Sequence, residues 1–248
     1  MKMKGSRTAS VDVLAIAAHP DDAELTCGGT LAQSVRRGYR VGILDLTQGE
    51  MGTRGSPETR AREAARAAKL LGLHHRENLG LADARLEPTQ ANKRAVAARL
   101  RALRPGVVIL PYWEGRHPDH THACQIAYQA CYLAGLKKLD LAGPPHRPFK
   151  ILYSPLYDES GRTRPSFVVD ITRDYSRRAR AIACYRSQFS GRPRQERGVH
   201  LPLADLQERL AALCRYYGQL IGVKYGEPFL TREVMQVDDI VGLAVRSI

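Results

Sequence analysis

The sequence predicts an α/β fold in which helices cover both faces of a mostly parallel sheet. Short, continuous apolar runs alternate with longer helical patterns along the first half of the chain. Strands that are apolar on both faces are typical of parallel sheets, which are buried on both sides. Two clusters of histidine and aspartate directly follow two of these strands, where α/β folds gather their functional groups. The predicted class is therefore a Rossmann-like, three-layer αβα fold.

The first β/α unit begins at residues 11–18, where the run VDVLAIAA predicts a buried strand. Helical periodicity follows over 25–37, and Gly38 is placed to end this helix as a C-terminal cap. The run YRVGILDL at 39–46 then predicts the second strand. The spacing of these elements indicates a parallel crossover rather than a hairpin.

The second helix is predicted over residues 56–72 from its end signals as well as its periodicity. Ser56 can accept a hydrogen bond from the first turn, and Pro57 suits the first helical position. Gly72 provides the stop.

Two further β/α units follow. ENLGL at 77–81 predicts a short third strand, and helical periodicity covers 90–103. GVVILPY at 106–112 predicts the fourth strand, and a helix is expected over 120–134. The four strands would point their carboxyl ends to one edge of the sheet.

The second half of the chain is less regular. Strands are expected at 150–155 and 166–172, and helices at 173–189 and 203–222. A basic loop with glycine and proline, at 190–198, separates the two helices. Because no repeat, linker or change of composition marks a boundary, we expect one domain over residues 1–248.

Composition limits the classes of function. The net charge is +13, which suits nucleic-acid binding or an acidic small substrate. The arginines are spread along predicted helices and aromatic residues are only 6% of the chain, so we favour a solvated basic surface. The five cysteines have no C-x-x-C spacing, which argues against a disulfide framework and for a reducing, cytoplasmic location. No apolar run is long enough to cross a membrane.

The first polar cluster is the stretch HPDD that follows the first strand. Imidazole and carboxylate at short spacing, as in His19 and Asp22, form a common ligand pair for zinc and similar metals. Asp21 is the adjacent carboxylate, and neighbouring side chains usually point in different directions. One aspartate can therefore bind a metal while the other acts on water, as metal-assisted hydrolysis requires.

The second cluster, HPDH, follows the fourth strand. His117 and His120 lie about one helical turn apart, so either can complete a His, Asp, His ligand set while the other faces the substrate. Asp119 can orient an imidazole from behind. His122 is a competing ligand but lies off this spacing.

The two clusters together resemble the PIG-L/LmbE family of zinc-dependent N-acetylglucosaminide deacetylases. AHPDDAELTCGGTLA and RHPDH carry this resemblance, which extends through LTQGEMGTRGSPETRAREA, NLGLADARL, YRSQF and GVKYGEPF. Within the family the chain looks closest to the bacillithiol-pathway branch, which deacetylates N-acetylglucosaminyl-malate. The mycothiol-pathway branch has tyrosine at the position of Gly115, and this departure favours an anionic substrate.

The resemblance implies a role for each site residue. The zinc ligands would be His19, Asp22 and His120, and Asp21 would be the general base. His117 would stabilise the oxyanion or protonate the leaving amine, with Asp119 supporting an imidazole.

Three further residues match substrate-binding positions. Arg60 and Asp83 would hold sugar hydroxyls, and Arg116 would hold the malate carboxylate. Read from local pattern alone, Arg60 is a surface helix residue and Asp83 a turn former.

The sequence thus predicts a cytoplasmic hydrolase that uses Zn²⁺, with Fe²⁺ or another divalent metal as the alternative cofactor. Its partner would be a small anionic glycoside, with no nucleic acid and no membrane, and relatives suggest a homo-oligomer. The alternatives are a deacetylase of another N-acetyl sugar, an amidase of thiol conjugates and, more remotely, a basic nucleic-acid-binding protein with an inactive metal site.

Overall fold

The structure, a computed structural model, describes residues 10–156, 163–190 and 202–245. Its centre is a five-stranded parallel sheet in the order β3-β2-β1-β4-β5. The strands are β1 (Val13–Ala17), β2 (Val41–Thr47), β3 (His75–Leu81), β4 (Val107–Pro111) and β5 (Lys150–Ser154).

Helices cover both faces of this sheet, so the predicted three-layer fold is confirmed. The helices are α1 (Asp22–Arg36), α2 (Pro57–Leu71), α3 (Gln90–Leu103), α4 (Pro118–Ala134), α5 (Tyr175–Ile182), α6 (Arg186–Phe189) and α7 (Leu203–Gln219). Alternate residues of β1 face opposite layers: Leu14 packs with α3 and α4, whereas Ala15 packs with α1. No helix in the described ranges is long and apolar enough to cross a membrane.

The end signals of α2 act as predicted. The Ser56 hydroxyl accepts the backbone N–H of Thr59, Pro57 opens the helix, and Gly72 ends it with φ 74°. α1, in contrast, begins at Asp22 rather than at residue 25, because the HPDD turn itself starts the helix.

The second half differs more from the prediction. β6 (Phe167–Asp170) pairs antiparallel with β7 (Gly226–Phe229), a strand that was not predicted because its GEPF sequence contains both glycine and proline. The single helix expected over 173–189 is wrong: α5 and α6 are separate, and Tyr185 between them is buried. The basic loop at 190–198 lies, apart from Ser190, outside the described residues.

The strand order places the two polar clusters side by side. From β1 the chain moves outward through β2 and β3, then crosses to β4 on the other side of β1. The carboxyl ends of β1 and β4 therefore flank the point where the order reverses, which is where open α/β sheets bind ligands. His19 follows β1 and His117 follows β4 at this point.

Candidate metal centre at the carboxyl ends of β1 and β4

His19, Asp22 and His120 converge at one carboxylate oxygen. Asp22 Oδ2 lies 3.3 Å from His19 Nδ1 and 3.3 Å from His120 Nε2. The same oxygen accepts the backbone N–H of His19 at 2.9 Å, which closes the HPDD turn. The three side chains each offer one donor atom within 4.8 Å of the others. This set of two imidazoles and one carboxylate matches the donors of a catalytic divalent-metal site.

Two other carboxylates hold the far side of the His19 ring. Its Nε2 lies 3.0 Å from Asp83 Oδ1 and 3.5 Å from Asp119 Oδ2. Burial lowers the pKa of His19, but its contacts with Asp22 and Asp83 outweigh this and raise the pKa to about 11. Such a concentration of negative charge around one imidazole fits a site built for a cation, with carboxylates orienting the ring from behind.

A second arrangement of donors is also present. His19, His117 and Asp119 bring one donor atom each within the same 4.8 Å. In each set the carboxylate oxygen also accepts one backbone N–H, from Ala84 at Asp119 Oδ2 and from His19 at Asp22 Oδ2. Asp22 Oδ2 lies 3.3 Å from two imidazole nitrogens, whereas Asp119 Oδ2 lies 3.5 Å from His19 Nε2. The geometry therefore favours the Asp22-centred set.

Asp21 is not a member of that set, and its carboxylate lies against Arg60. Its carboxylate does not cap α1, and its φ of 115° is a strained conformation for a residue other than glycine. Burial raises the pKa of Asp21, whereas the nearby Arg60 guanidinium lowers it. Burial is the larger effect, so the pKa rises to about 7. A carboxyl group with this pKa can accept a proton near neutral pH.

Arg60 is buried and fixes Asp21 in place, so the surface-pair interpretation of Arg60 is wrong. Its Nη2 lies 3.5 Å from Asp21 Oδ1 and donates to the carbonyl of Pro20 at 2.7 Å. Its Nη1 donates to the carbonyl of Gly49, and the guanidinium packs so closely on Gly49 that a Cβ there would collide with it. The buried Nε has no hydrogen-bond partner among the described residues.

Asp83 is likewise engaged with the protein. Besides His19, its carboxylate accepts the backbone N–H groups of Met51 and Ala84 at 2.9 and 2.8 Å. It therefore ties the loop after β2 to His19. Contact of Asp83 or Arg60 with a sugar hydroxyl stays a prediction.

His117 and Arg116 lie on the exposed side of the site. His117 is the N-cap of α4, where its Nδ1 accepts the backbone N–H of Asp119 at 3.3 Å. In the neutral ring the proton is then on Nε2, which can donate to a substrate. Burial and the neighbouring imidazoles lower the pKa of His117. Arg116 is exposed on the loop directly before it.

A buried charge network beneath the site was missed at the level of sequence. Arg76 of β3 donates to Asp45 and to Glu24 Oε1, and Tyr185 donates to the same Glu24 oxygen at 2.8 Å. Glu24 lies in the first turn of α1, so the network holds the turn that carries Asp21 and Asp22. One signal was available, since Asp45 interrupts an otherwise apolar strand.

The chain is similar to several known deacetylases. The family model PIG-L, GlcNAc-PI de-N-acetylase, matches residues 14–131, from β1 into α4. The diacetylchitobiose deacetylase of Thermococcus kodakarensis is 30% identical over 231 residues, which cover 87% of this chain and 80% of that protein. The 1D-myo-inositol 2-acetamido-2-deoxy-alpha-D-glucopyranoside deacetylase of Rhodococcus opacus is 30% identical over 57% of this chain and 60% of its own length.

Among solved structures, the conserved protein TT1542 from Thermus thermophilus is 41% identical. It superposes with a TM-score of 0.82, covering 92% of this chain and 98% of that one.

Proposed function

Because the chain belongs to the PIG-L family of GlcNAc-PI de-N-acetylases, we propose that it is a metal-dependent hydrolase that removes the acetyl group from an N-acetylglucosaminide. The observation that carries this proposal is the convergence of His19, Asp22 and His120 beside the separate carboxylate of Asp21. The substrates named for the chitobiose and inositol glycoside relatives support N-acetylglucosamine as the reacting sugar.

The donor set suits Zn²⁺, with Fe²⁺ as the alternative. His19 Nδ1, Asp22 Oδ2 and His120 Nε2 would hold the cation, and Asp83 and Asp119 would orient His19 through its Nε2. When bound, such a cation polarises the acetyl carbonyl and lowers the pKa of water in the site.

The protein groups then divide the proton transfers. Asp21, held by Arg60, accepts the proton of the attacking water. His117 donates a hydrogen bond from its Nε2–H to the carbonyl oxygen as negative charge develops there. Asp21, which now carries the proton taken from water, returns it to the nitrogen as the amide bond breaks. Acetate and a free amino sugar are the products.

A small cavity beside the donor set supports a short acyl group. It measures about 100 Å³ and is bordered by Asp22 and His120 on one side. Its other walls are mostly apolar and include Leu25, Ile109 and Pro111. A cavity of this size accommodates an acetyl methyl group and excludes long acyl chains.

For the remainder of the substrate we propose an anionic aglycone, most specifically malate. Arg116 is exposed directly before His117, so its guanidinium can reach a carboxylate attached to the reacting sugar. A second candidate is an N-acetylated oligosaccharide. The alignment with a diacetylchitobiose deacetylase over 80% of that protein favours it.

The test is acetate release from a substrate panel by zinc-loaded enzyme. N-acetylglucosamine, N,N'-diacetylchitobiose, the inositol glycoside and N-acetylglucosaminyl-malate would be compared. If the enzyme released acetate from none of these four compounds, the proposed function would be refuted.

Arg116→Ala tests the malate proposal. A charge-assisted pair is worth about 1.5–3 kcal/mol, so we expect kcat/KM for the malate glycoside to fall roughly 10- to 150-fold. The kcat/KM for uncharged substrates should fall much less. Arg66→Ala, at an exposed position of α2, is the matched control. Equal losses on all substrates would remove Arg116 from malate recognition.

A further inference from the structure

The last described segment of the chain exposes an unusual density of apolar side chains. We call residues 234–245 the C-terminal arm. Val234 is 98% exposed, Ile240 84% and Val241 89%. The arm contains no helix or strand, and its turns are held by its own contacts, such as Asp239 accepting the backbone N–H groups of Val241 and Gly242. Exposed apolar surface of this kind marks an interaction site.

The arm leaves the protein from a fixed point. Leu230 exchanges backbone hydrogen bonds with Tyr153 at 2.9 and 3.0 Å. The Arg232 guanidinium then lies 4.8 Å from the ring centres of Trp113 and Tyr128 and 5.1 Å from that of Tyr153. These cation–π contacts fix the chain just before the arm.

A groove opens beside this point. We call it the basic groove. It measures about 440 Å³ and lies between α3, α4 and β5, the edge strand of the sheet. Its apolar walls and its cationic rim include Tyr128, Tyr132, Leu133, Ile151, Lys93 and Arg147. Glu233 borders the groove, yet the next residue, Val234, is almost fully exposed. The arm therefore passes its own groove without entering it.

Charge makes the arm and the groove complementary. The arm carries Asp238 and Asp239 and no lysine or arginine, in a chain whose net charge is +13. Two copies of such a basic chain repel each other over most of their surfaces. An acidic, apolar arm seated between Lys93 and Arg147 would remove that repulsion locally and bury its valine and isoleucine side chains.

We propose that the C-terminal arm of one protomer fills the basic groove of a second copy, and that two copies exchange arms. Each chain carries both halves of the contact, and the arm begins at the rim of its own groove, so a two-fold arrangement closes on itself. The proposal does not depend on the chemistry of the metal centre.

The experiment is light scattering coupled to size-exclusion chromatography of the full chain, with circular dichroism to confirm folding. We expect a dimer or a larger even assembly. The double variant Ile240→Asp, Val241→Asp should halve the mass at least, and Leu220→Asp, at an exposed apolar position that ends α7, should leave it unchanged.

Mixing separates exchange from other contacts. Arg147→Glu damages the groove and should also yield monomers. Mixing it with the arm variant should restore a heterodimer, because one intact arm and one intact groove remain. A monomeric wild-type chain would overturn the proposal and indicate docking on the chain's own groove or on another protein. Assembly unaffected by the arm variant, or no heterodimer on mixing, would overturn it too.

Discussion

Asp21 and Asp22 are adjacent carboxylates to which the structure gives different surroundings, and exchanging each for asparagine tests their proposed roles. Asp22 Oδ2 lies between two imidazole nitrogens, whereas Asp21 faces Arg60. Asparagine is the right replacement at residue 21, because among residues other than glycine it tolerates a positive φ well, and φ there is 115°. Asp21→Asn should therefore retain the backbone of the HPDD turn.

The expected loss of activity follows from the proton that Asp21 is proposed to accept. General-base catalysis contributes about 10²- to 10⁴-fold, and an amide oxygen cannot replace a carboxylate in this step. We expect kcat of Asp21→Asn to fall by at least about 10²-fold, with metal content unchanged. Asp22→Asn should instead lose the metal and, as a consequence, the activity.

The assay combines two measurements on the same preparations. Metal per chain is determined by mass spectrometry of the purified protein, and acetate release is followed on the best substrate of the panel. If the Asp21→Asn variant loses its metal and the Asp22→Asn variant retains it, the two roles are reversed. Full activity of Asp21→Asn would refute the assignment of Asp21 as the base.

Three further predictions follow from packing and burial. Because the cavity beside Asp22 holds about 100 Å³, turnover should fall steeply from N-acetyl to N-octanoyl glucosamine, and equal rates would place the acyl group elsewhere. Glu227→Gln should lower the free energy of unfolding in urea by about 3–5 kcal/mol, because Arg178 is 1% exposed and loses its carboxylate partner. The exposed control Glu208→Gln should change it by less than about 0.5 kcal/mol. Iodoacetamide at neutral pH should modify only Cys184. All five thiols are free and burial raises the pKa of each, but Cys184 is half-buried whereas the other four are buried. Rapid labelling of several thiols, read by mass spectrometry, would contradict this.

Local sequence signals were sufficient for the first half of the fold. The helix at Gln90–Leu103 begins and ends at the predicted residues, and α2 has the predicted cap, proline and glycine stop. These features depend on hydrogen bonds and backbone conformations within a few residues, which the sequence specifies directly. Parallel strand ends also brought the HPDD and HPDH clusters together as expected.

The contacts that join distant parts of the chain could not be predicted in this way. Glu227 of β7 accepts the backbone N–H groups of Gly29 and Thr30, where α1 is interrupted at Cys27. Nothing local marks Glu227 as a helix cap, because its partners lie almost 200 residues earlier in the chain.

The sequence by itself therefore determined the layer architecture and the residue types of the candidate metal centre, because periodicity and turn chemistry are local. Only the tertiary structure decided how those residues divide their tasks. It turned Asp22 towards two histidines, placed Asp21 against Arg60 and set Asp83 behind His19. Each of these orientations depends on packing between separate elements, which fixes side-chain direction through burial and long-range hydrogen bonds.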